Sequence, residues 1–348
     1  MSDTERQINV IKRILNASDE DANSIEFWMN NVREYGIYPF QWLTELDQKT
    51  NYTDNGMMQV QGEIANFCRF LSGQKIQSAM EIGVYRGLSS YFICATIYRK
   101  NPDLIYYMVD IVDALNNYDL FRKILPCMKK QIPSTSENYK EKEFDFVFID
   151  ADHSYIASMH DYINVGRYAK KMVCFHDIYA HEYDHEDGGC VRTWREVCTL
   201  TPQFPKMVFS NFPDRWMGIG VVINTNGEVA AIEEKEGYEK IEKQKEEFLN
   251  DLVKYTDIWV YGARNDSRRM YRALKEHNYS VKGMVISDES EYVEKLAEYP
   301  VSKIDNISVD SGTVIVVCYR ESLRHVAMEN IKSKVDILVV SDMLAEFI

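Results

Sequence analysis

The spacing of apolar positions divides the chain into a helical beginning and an alternating continuation. Up to about residue 70, apolar residues recur at intervals of three and four, which predicts helices without strands. From about residue 77 to 223, short apolar runs alternate with helical segments. This alternation predicts a parallel sheet covered by helices on both faces. The expected strands lie near 77–82, 104–109, 145–149 and 171–175, and the expected helices near 87–99, 117–130 and 155–169.

Two further apolar segments, 206–210 and 216–223, are joined by a link too short for a crossover helix, which predicts an antiparallel last pair. A stretch rich in Glu and Lys, 229–255, then predicts either a solvated linker helix or a partner-binding coil. Four more apolar runs alternate with helical patterns beyond it and predict a second, smaller α/β domain. These runs are 257–262, 281–287, 313–318 and 336–340.

Composition narrows the classes of partner. The 348 residues carry a net charge of −14, and this excess of negative charge disfavours binding to nucleic acid or to an anionic membrane surface. No run of about 18 apolar residues occurs, and the N-terminus lacks the pattern of a signal peptide. The seven cysteines are scattered without a CxxC pair, which is typical of reduced thiols. We therefore expect a cytoplasmic protein.

The turn after the first predicted strand is a candidate nucleoside site. Glu81 precedes a Gly-x-x-x-Gly pattern formed by Gly83 and Gly87, whereas a dinucleotide fold would require Gly-x-Gly-x-x-Gly for a pyrophosphate. A glutamate there can receive an ammonium group. Asp110, 23 residues past Gly87 at the end of the next strand, can accept both ribose hydroxyls. The alternative is a glycine turn that binds nothing.

A second cluster is predicted at the carboxyl ends of the later strands. Asp150 ends a buried apolar run, and the following strand delivers His176 and Asp177 to the same edge, where open α/β sheets bind ligands. These three side chains are expected around one divalent cation, with His153 facing the substrate. The alternative is that His153 or Asp152 caps the helix that begins near Tyr155.

The chain resembles a family of class I S-adenosylmethionine-dependent methyltransferases grouped with macrocin O-methyltransferase and the cephalosporin hydroxylase-like proteins. The resemblance covers about residues 57–223. It is carried by Glu81-Ile82-Gly83 with Gly87 and Ser89, by 145–155 with Asp161, by His176-Asp177, by 189–194 and by 218–222.

The resemblance implies a Rossmann-like sheet with an antiparallel last strand and S-adenosyl-L-methionine as cofactor. It also implies Mg²⁺ or another divalent cation held by Asp150, His176 and Asp177, with His153 as general base on a sugar hydroxyl. The cofactor is expected on Glu81, Gly83, Tyr85, Gly87, Ser89, Asp110 and Ser134.

Two departures from the family pattern matter. His176 stands where the macrolide sugar methyltransferases of this group have an acid, and imidazole is a poor ligand for Mg²⁺. Residues 131–138 replace the usual strand and glycine ahead of the adenine, so the adenine contacts stay unassigned.

We therefore expect a methyltransferase that acts on a hydroxyl of a carbohydrate or glycosylated metabolite. The alternatives are a nicotinamide-dependent oxidoreductase and a non-catalytic nucleotide- or sugar-binding scaffold. The acceptor is expected to be a small molecule or a glycan, without nucleic acid or membrane partners, and a homodimer is possible. The expected domains are a helical region (1–70), the methyltransferase domain (71–228), the linker helix (229–255) and a small Rossmann-like domain (256–348).

Two further segments each admit two interpretations. Residues 177–189 form either a solvated loop or a lid over the acceptor that hinges at Gly188 and Gly189. The second domain either has a structural or dimer-forming role or recognises a nucleotide sugar, with Arg268 and Arg269 on its phosphate.

Overall fold

The apolar runs of the sequence build two separate sheets in the computed structural model, one in each of two compact units, Met1–Glu233 and Glu234–Ile348. The structure describes residues 2–40, 48–183, 187–210, 217–230, 236–262, 265–287, 299–318, 328, 331 and 335–340, without the side chains of 236–242, 265, 266 and 269.

The first unit contains a seven-stranded sheet in the order β3-β2-β1-β4-β5-β7-β6. All its pairings are parallel except those of β7 with β5 and β6, which are antiparallel. The predicted fold class and the antiparallel last pair are thereby confirmed. The strands are β1 (Ser78–Ile82), β2 (Ile105–Val109), β3 (Met128–Gln131), β4 (Phe146–Ile149), β5 (Met172–Phe175), β6 (Lys206–Phe209) and β7 (Ile219–Ile223).

Helices cover both faces of this sheet, so the central strands are buried on both sides and read as continuous apolar runs. On one face Phe146 and Phe148 of β4 pack with Phe67, and on the other face Val147 and Ile149 lie in a second apolar cluster. The described helices of this unit are α1 (Asp3–Leu15), α2 (Asp19–Asn23), α3 (Ile25–Tyr35), α4 (Gln61–Leu71), α5 (Leu88–Tyr98), α6 (Tyr118–Arg122), α7 (Tyr155–Asn164) and α8 (Gly189–Leu200).

The predicted helix over 117–130 is wrong in its second half. Only Tyr118–Arg122 is helical, and Met128–Gln131 forms β3 at the edge of the sheet. The four residues of β3 include two lysines, which suit an exposed edge strand. Because these lysines interrupt the apolar run, the pattern of apolar residues does not indicate a strand here. A strand is therefore present where residues 131–138 were expected to replace one, and it ends at Gln131.

The second unit has a five-stranded parallel sheet in the order β10-β9-β8-β11-β12. The four predicted strands are present, and a fifth, only three residues long, was missed. The described elements are α9 (Glu236–Leu252), β8 (Asp257–Tyr261), α10 (Asn265–Glu276), β9 (Val281–Ile286), β10 (Val301–Lys303), β11 (Thr313–Cys318) and β12 (Asp336–Val340). Within the described part of the chain, no helix combines the length and apolar character of a membrane span.

Candidate functional site

The turn between β1 and α5 contains three residues with positive φ: Gly83 (87°), Tyr85 (44°) and Gly87 (78°). At Gly83 a Cβ atom would lie 2.2 Å from the carbonyl oxygen of Asp150 and 2.3 Å from Cα of Ala151. A glycine is thus needed here because the chain leaving β4 crosses directly over the turn. The two halves of the predicted site are in contact through this crossing.

Gly87 is the N-cap of α5 and lies in the left-handed region, and no side chain caps this helix. The first N–H groups of an α-helix have no intrahelical partner, and they carry the positive end of the helix dipole. This end of α5 is therefore suited to a carboxylate. Ser89, in the first turn, is half-buried, and Tyr85 is 51% exposed beside it.

Asp110 ties this turn to the end of β2. Its Oδ2 atom accepts hydrogen bonds from the backbone N–H groups of Val84 (3.0 Å) and Tyr85 (2.8 Å), and its Oδ1 accepts one from Val112 (3.0 Å). The backbone N–H of Ser134 donates to the carbonyl oxygen of Asp110 at 2.8 Å. The structure therefore brings Asp110 and Ser134 together next to the glycine turn, and it shows that Asp110 also fixes the shape of that turn.

Glu81 faces the interior and not the sheet edge. It is 1% exposed, and the hydroxyl of Tyr106 donates to its Oε2 atom at 2.6 Å. Burial raises the pKa of the Glu81 carboxyl to about 8, so this group is largely neutral at pH 7. Its role as an ammonium partner stays a prediction, whereas its hydrogen bond to Tyr106 within the core is a feature of the fold.

The carboxyl ends of β4 and β5 bring four titratable side chains together. Nε2 of His153 lies 2.8 Å from Oδ2 of Asp177. Nδ1 of His176 lies 3.1 Å from the same oxygen and 3.3 Å from Oδ1 of Asp150. One ligand atom each from Asp150, His153 and Asp177 lies within 4.8 Å of the others, a spacing compatible with a metal ion.

The charges in this cluster support one another. Burial disfavours the charged form of His153, but the carboxylates of Asp177 and Asp150 outweigh this effect and raise its pKa above the ordinary 6.5. Burial likewise opposes the charge on His176, but the same two carboxylates outweigh this effect and raise its pKa well above 6.5. Burial opposes ionisation of Asp177 too, yet the two imidazoles hold its pKa well below its ordinary value.

Gln59 is a member of the site that sequence reasoning missed. It is 1% exposed, and its Nε2 atom lies 3.4 Å from Oδ2 of Asp150, while its Oε1 has no hydrogen-bond partner among the described residues. Its only sequence signal is its position as a polar residue two positions before helix α4.

The loops around His153 fix the position of its ring. Tyr183 stacks on the imidazole with the ring centroids 4.3 Å apart and the planes at 10°. The backbone N–H of Cys190, in the first turn of α8, donates to the carbonyl oxygen of His153 at 3.1 Å. These contacts join the segments after β4 and β5. Of the predicted lid, 184–186 lie outside the described residues, so the lid stays a prediction.

Both predicted alternatives for the cap of α7 are wrong, because Ser154 is its N-cap and accepts a hydrogen bond from the N–H of Ala157. Asp152 instead accepts from the N–H of Ser154 at 2.8 Å. His153 is thus left to contact Asp177 through its side chain.

The predicted phosphate site of the second unit is only partly covered by the structure. The guanidinium of Arg268 lies 5.8 Å from the ring centre of Tyr299. The side chain of Arg269 lies outside the described residues, so this site stays a prediction.

Comparison with known proteins gives a match of residues 80–178 to a family model described as a methyltransferase domain. No curated protein matches the chain. The solved structures that are similar to it over about half of its length include these three. The cofactor-bound protein Rv0187 from MTB is 14% identical and covers 49% of this chain and 82% of that chain, with a TM-score of 0.38.

The other two are O-methyltransferases. The enzyme from Bacillus cereus in complex with SAH is 14% identical and covers 53% of this chain and 89% of that chain, with a TM-score of 0.36. TomG from Streptomyces achromogenes, involved in tomaymycin synthesis and bound to SAM, is 12% identical, with coverages of 53% and 88% and a TM-score of 0.37. All the residues predicted for the cofactor and cation sites, from Glu81 to Asp177, lie within the part of the chain that is similar to a methyltransferase domain.

Proposed function

We propose that the chain is an S-adenosylmethionine-dependent O-methyltransferase that acts on a hydroxyl of a carbohydrate or glycosylated metabolite. The observation that carries the proposal is the contact of His153 with Asp177 beside Asp150, at the sheet edge of a segment that matches a methyltransferase domain. A carboxylate-paired imidazole at such an edge is suited to take a proton from a hydroxyl.

The residues of the glycine turn fit the cofactor. The uncapped N-terminus of α5 would receive the carboxylate of S-adenosylmethionine, and Asp110 would accept its ribose hydroxyls with the lone pairs that its backbone donors leave unused. Ser134, next to Asp110, would border the cofactor. When bound, the cofactor supplies a methyl group on a positively charged sulfur, ready for in-line attack.

His153 is the general base of the proposed reaction. Its ring accepts the proton of the acceptor hydroxyl as the oxygen becomes a nucleophile. Asp177 orients the ring through its contact with Nε2 and stabilises the positive charge that the ring gains. Tyr183 holds the ring plane by stacking and restricts access of water to one side. The rate enhancement then comes from positioning and proton transfer.

A divalent cation would be held by Asp150, His176 and Asp177. Nδ1 of His176 is within 3.3 Å of a carboxylate oxygen of each aspartate, so three donor atoms converge. A cation there would lower the pKa of an acceptor hydroxyl that binds beside it.

Binding and turnover experiments test the proposal. S-adenosylhomocysteine should raise the melting temperature of the purified protein, and NAD should not, as expected for the stabilisation of a native state by its own ligand. Release of labelled methyl groups to glycosylated acceptors measures the reaction. The proposal fails if S-adenosylhomocysteine at saturating concentration leaves the melting temperature unchanged.

A further inference from the structure

His176 is the unusual member of the proposed cation site. It follows directly after β5 and is 3% exposed. Neither of its ring nitrogens has a hydrogen-bond partner of acceptable geometry among the described residues, although Nδ1 lies close to Asp150 and Asp177. A buried imidazole whose two nitrogens make no hydrogen bond is costly even with carboxylates nearby, so this arrangement favours a ligand between the three groups.

The contacts of Nδ1 have the geometry of ligands that share an ion. Two groups that bind one ion point toward the ion and not toward each other, so they lie near one another without being hydrogen-bonded. At metal–ligand distances of about 2.0–2.2 Å, neighbouring donor atoms are about 2.8–3.6 Å apart, from octahedral to tetrahedral geometry. The distances from Nδ1 to the two carboxylate oxygens, 3.1 and 3.3 Å, lie in this range.

The donor set decides which cation fits. Mg²⁺ is bound by oxygen ligands and retains several waters, whereas imidazole nitrogen suits Zn²⁺ and the other later first-row ions. A site with one imidazole and two carboxylates is therefore a poor site for Mg²⁺. This inference rests on the cation site of the proposed function. We propose that Asp150, His176 and Asp177 bind a first-row transition ion of the Co²⁺ to Zn²⁺ series in preference to Mg²⁺. His176 is the ligand that sets this preference.

His153 is the competing nitrogen ligand, because one ligand atom of it lies within 4.8 Å of a carboxylate oxygen of each aspartate. Its side chain is 27% exposed, against 3% for His176, and its Nε2 contacts Asp177 alone of the two carboxylates. The more buried ring, flanked by both carboxylates, is the better candidate for a permanent ligand. His153 then remains available as the base.

Cobalt gives a direct readout that does not depend on activity. Co²⁺ added to the metal-free full-length protein should give visible absorption bands that are shifted from those of Co²⁺ in water by nitrogen coordination. Zn²⁺ should displace the bound Co²⁺, whereas excess Mg²⁺ should not. The His176→Asn variant, which keeps a small polar side chain, should lose more than about 100-fold in Co²⁺ affinity, since loss of a ligand exceeds the 10–100-fold loss seen for outer-shell partners. The His176→Glu variant should gain affinity for Mg²⁺.

The matched control is His160→Asn. His160 is also a buried imidazole (6% exposed) and contacts Glu137 at 2.9 Å, outside the site. This variant should retain the parent's cobalt spectrum. Circular dichroism and melting temperatures establish that each variant is folded.

Three outcomes would overturn the proposal: equal or tighter binding of Mg²⁺ by the parent, an unchanged cobalt spectrum in folded His176→Asn, or loss of the spectrum in His153→Ala but not in His176→Asn. The proposed function is judged separately by S-adenosylhomocysteine. If that compound binds and the metal preference is absent, only the metal inference fails. If the preference is present without S-adenosylhomocysteine binding, only the methyltransferase proposal fails.

Discussion

Asp177 contacts His153 at 2.8 Å across two different loops, the one after β4 and the one after β5. Asp177 itself has a positive φ of 59°, an unusual conformation for a residue other than glycine. Such strain persists only when the surroundings fix it, and it is often found at functional sites. The aspartate is held in this conformation where its carboxylate reaches both imidazoles.

Replacing His153 tests its role as the base. His153→Ala should lower kcat by about 100-fold or more and leave the affinity for S-adenosylhomocysteine unchanged, because only the proton acceptor is lost. Steady-state kinetics and calorimetry measure the two effects. His160→Asn removes another buried imidazole, which contacts Glu137 outside the cluster, and should retain the parent's kcat. A comparable drop in both variants would contradict the assignment.

The pH dependence of the parent follows from the same residue. The unprotonated ring is the active form, and the neighbouring carboxylates raise its pKa above 6.5 against the effect of burial. We therefore expect kcat to rise with pH through a pKa above 6.5 and to fall in acid. A rate that is constant from weakly acidic to neutral pH would exclude His153 as the base.

The raised pKa of Glu81 should make the free energy of unfolding depend on pH. Between its ordinary pKa of 4.5 and its folded pKa of about 8, the unfolded chain has lost this proton while the folded chain retains it, so a rise in pH favours unfolding. The loss is on the order of a few kcal/mol and levels off above the folded pKa. Glu81→Gln, whose amide oxygen can still accept from Tyr106, should weaken this dependence and be more stable than the parent at mildly basic pH.

Urea unfolding at mildly acidic, neutral and mildly basic pH measures this difference. Asp161, whose burial raises its pKa to about 7, should leave a smaller dependence of the same sign in the variant. A parent and variant with identical pH profiles would show that Glu81 ionises normally in the folded chain.

Adding a single methyl group at Gly83 should strongly lower the stability of the protein. Gly83→Ala places a Cβ within 2.3 Å of the backbone of Asp150 and Ala151 and requires a positive φ. The free energy of unfolding should fall by about 3 kcal/mol or more. Gly73→Ala is the control, because its Cβ would meet nothing closer than 3.7 Å. That variant should stay within about 1 kcal/mol of the parent, on the stabilising side. Similar stabilities for both variants would argue against the crossing described at Gly83.

Replacing Gln59 tests whether it acts on the site through Asp150. Gln59→Ala removes the amide beside Asp150 and should lower kcat/KM by about 10-fold or more, as for other partners of ligand residues. Gln61→Ala, two residues away, removes a hydrogen bond to Tyr52 and should lower stability while leaving kcat/KM near that of the parent. Equal kcat/KM values for the two variants would remove Gln59 from the site.

The sequence by itself determined six of the seven strands of the first unit and the edge of the sheet at which Asp150 and His176 lie. Strands buried on both faces are continuous apolar runs, and the residue after such a run lies at the carboxyl edge, so Asp150 and His176 were identifiable from the pattern alone. The edge strand β3 and the short β10 were missed because strands of three or four residues, polar on their exposed side, leave little apolar signal.

Only the tertiary structure decided which way each polar side chain points and what it meets. Gln59 reaches Asp150 from 91 residues away, Glu81 turns toward Tyr106 inside the core, and Asp110 accepts the backbone of the turn that it was expected to adjoin. Periodicity specifies the face of a strand on which a residue lies, but its partners there come from distant segments brought together by packing. The titratable members of the cluster around Asp177 were therefore predictable, while their contacts emerged from the fold.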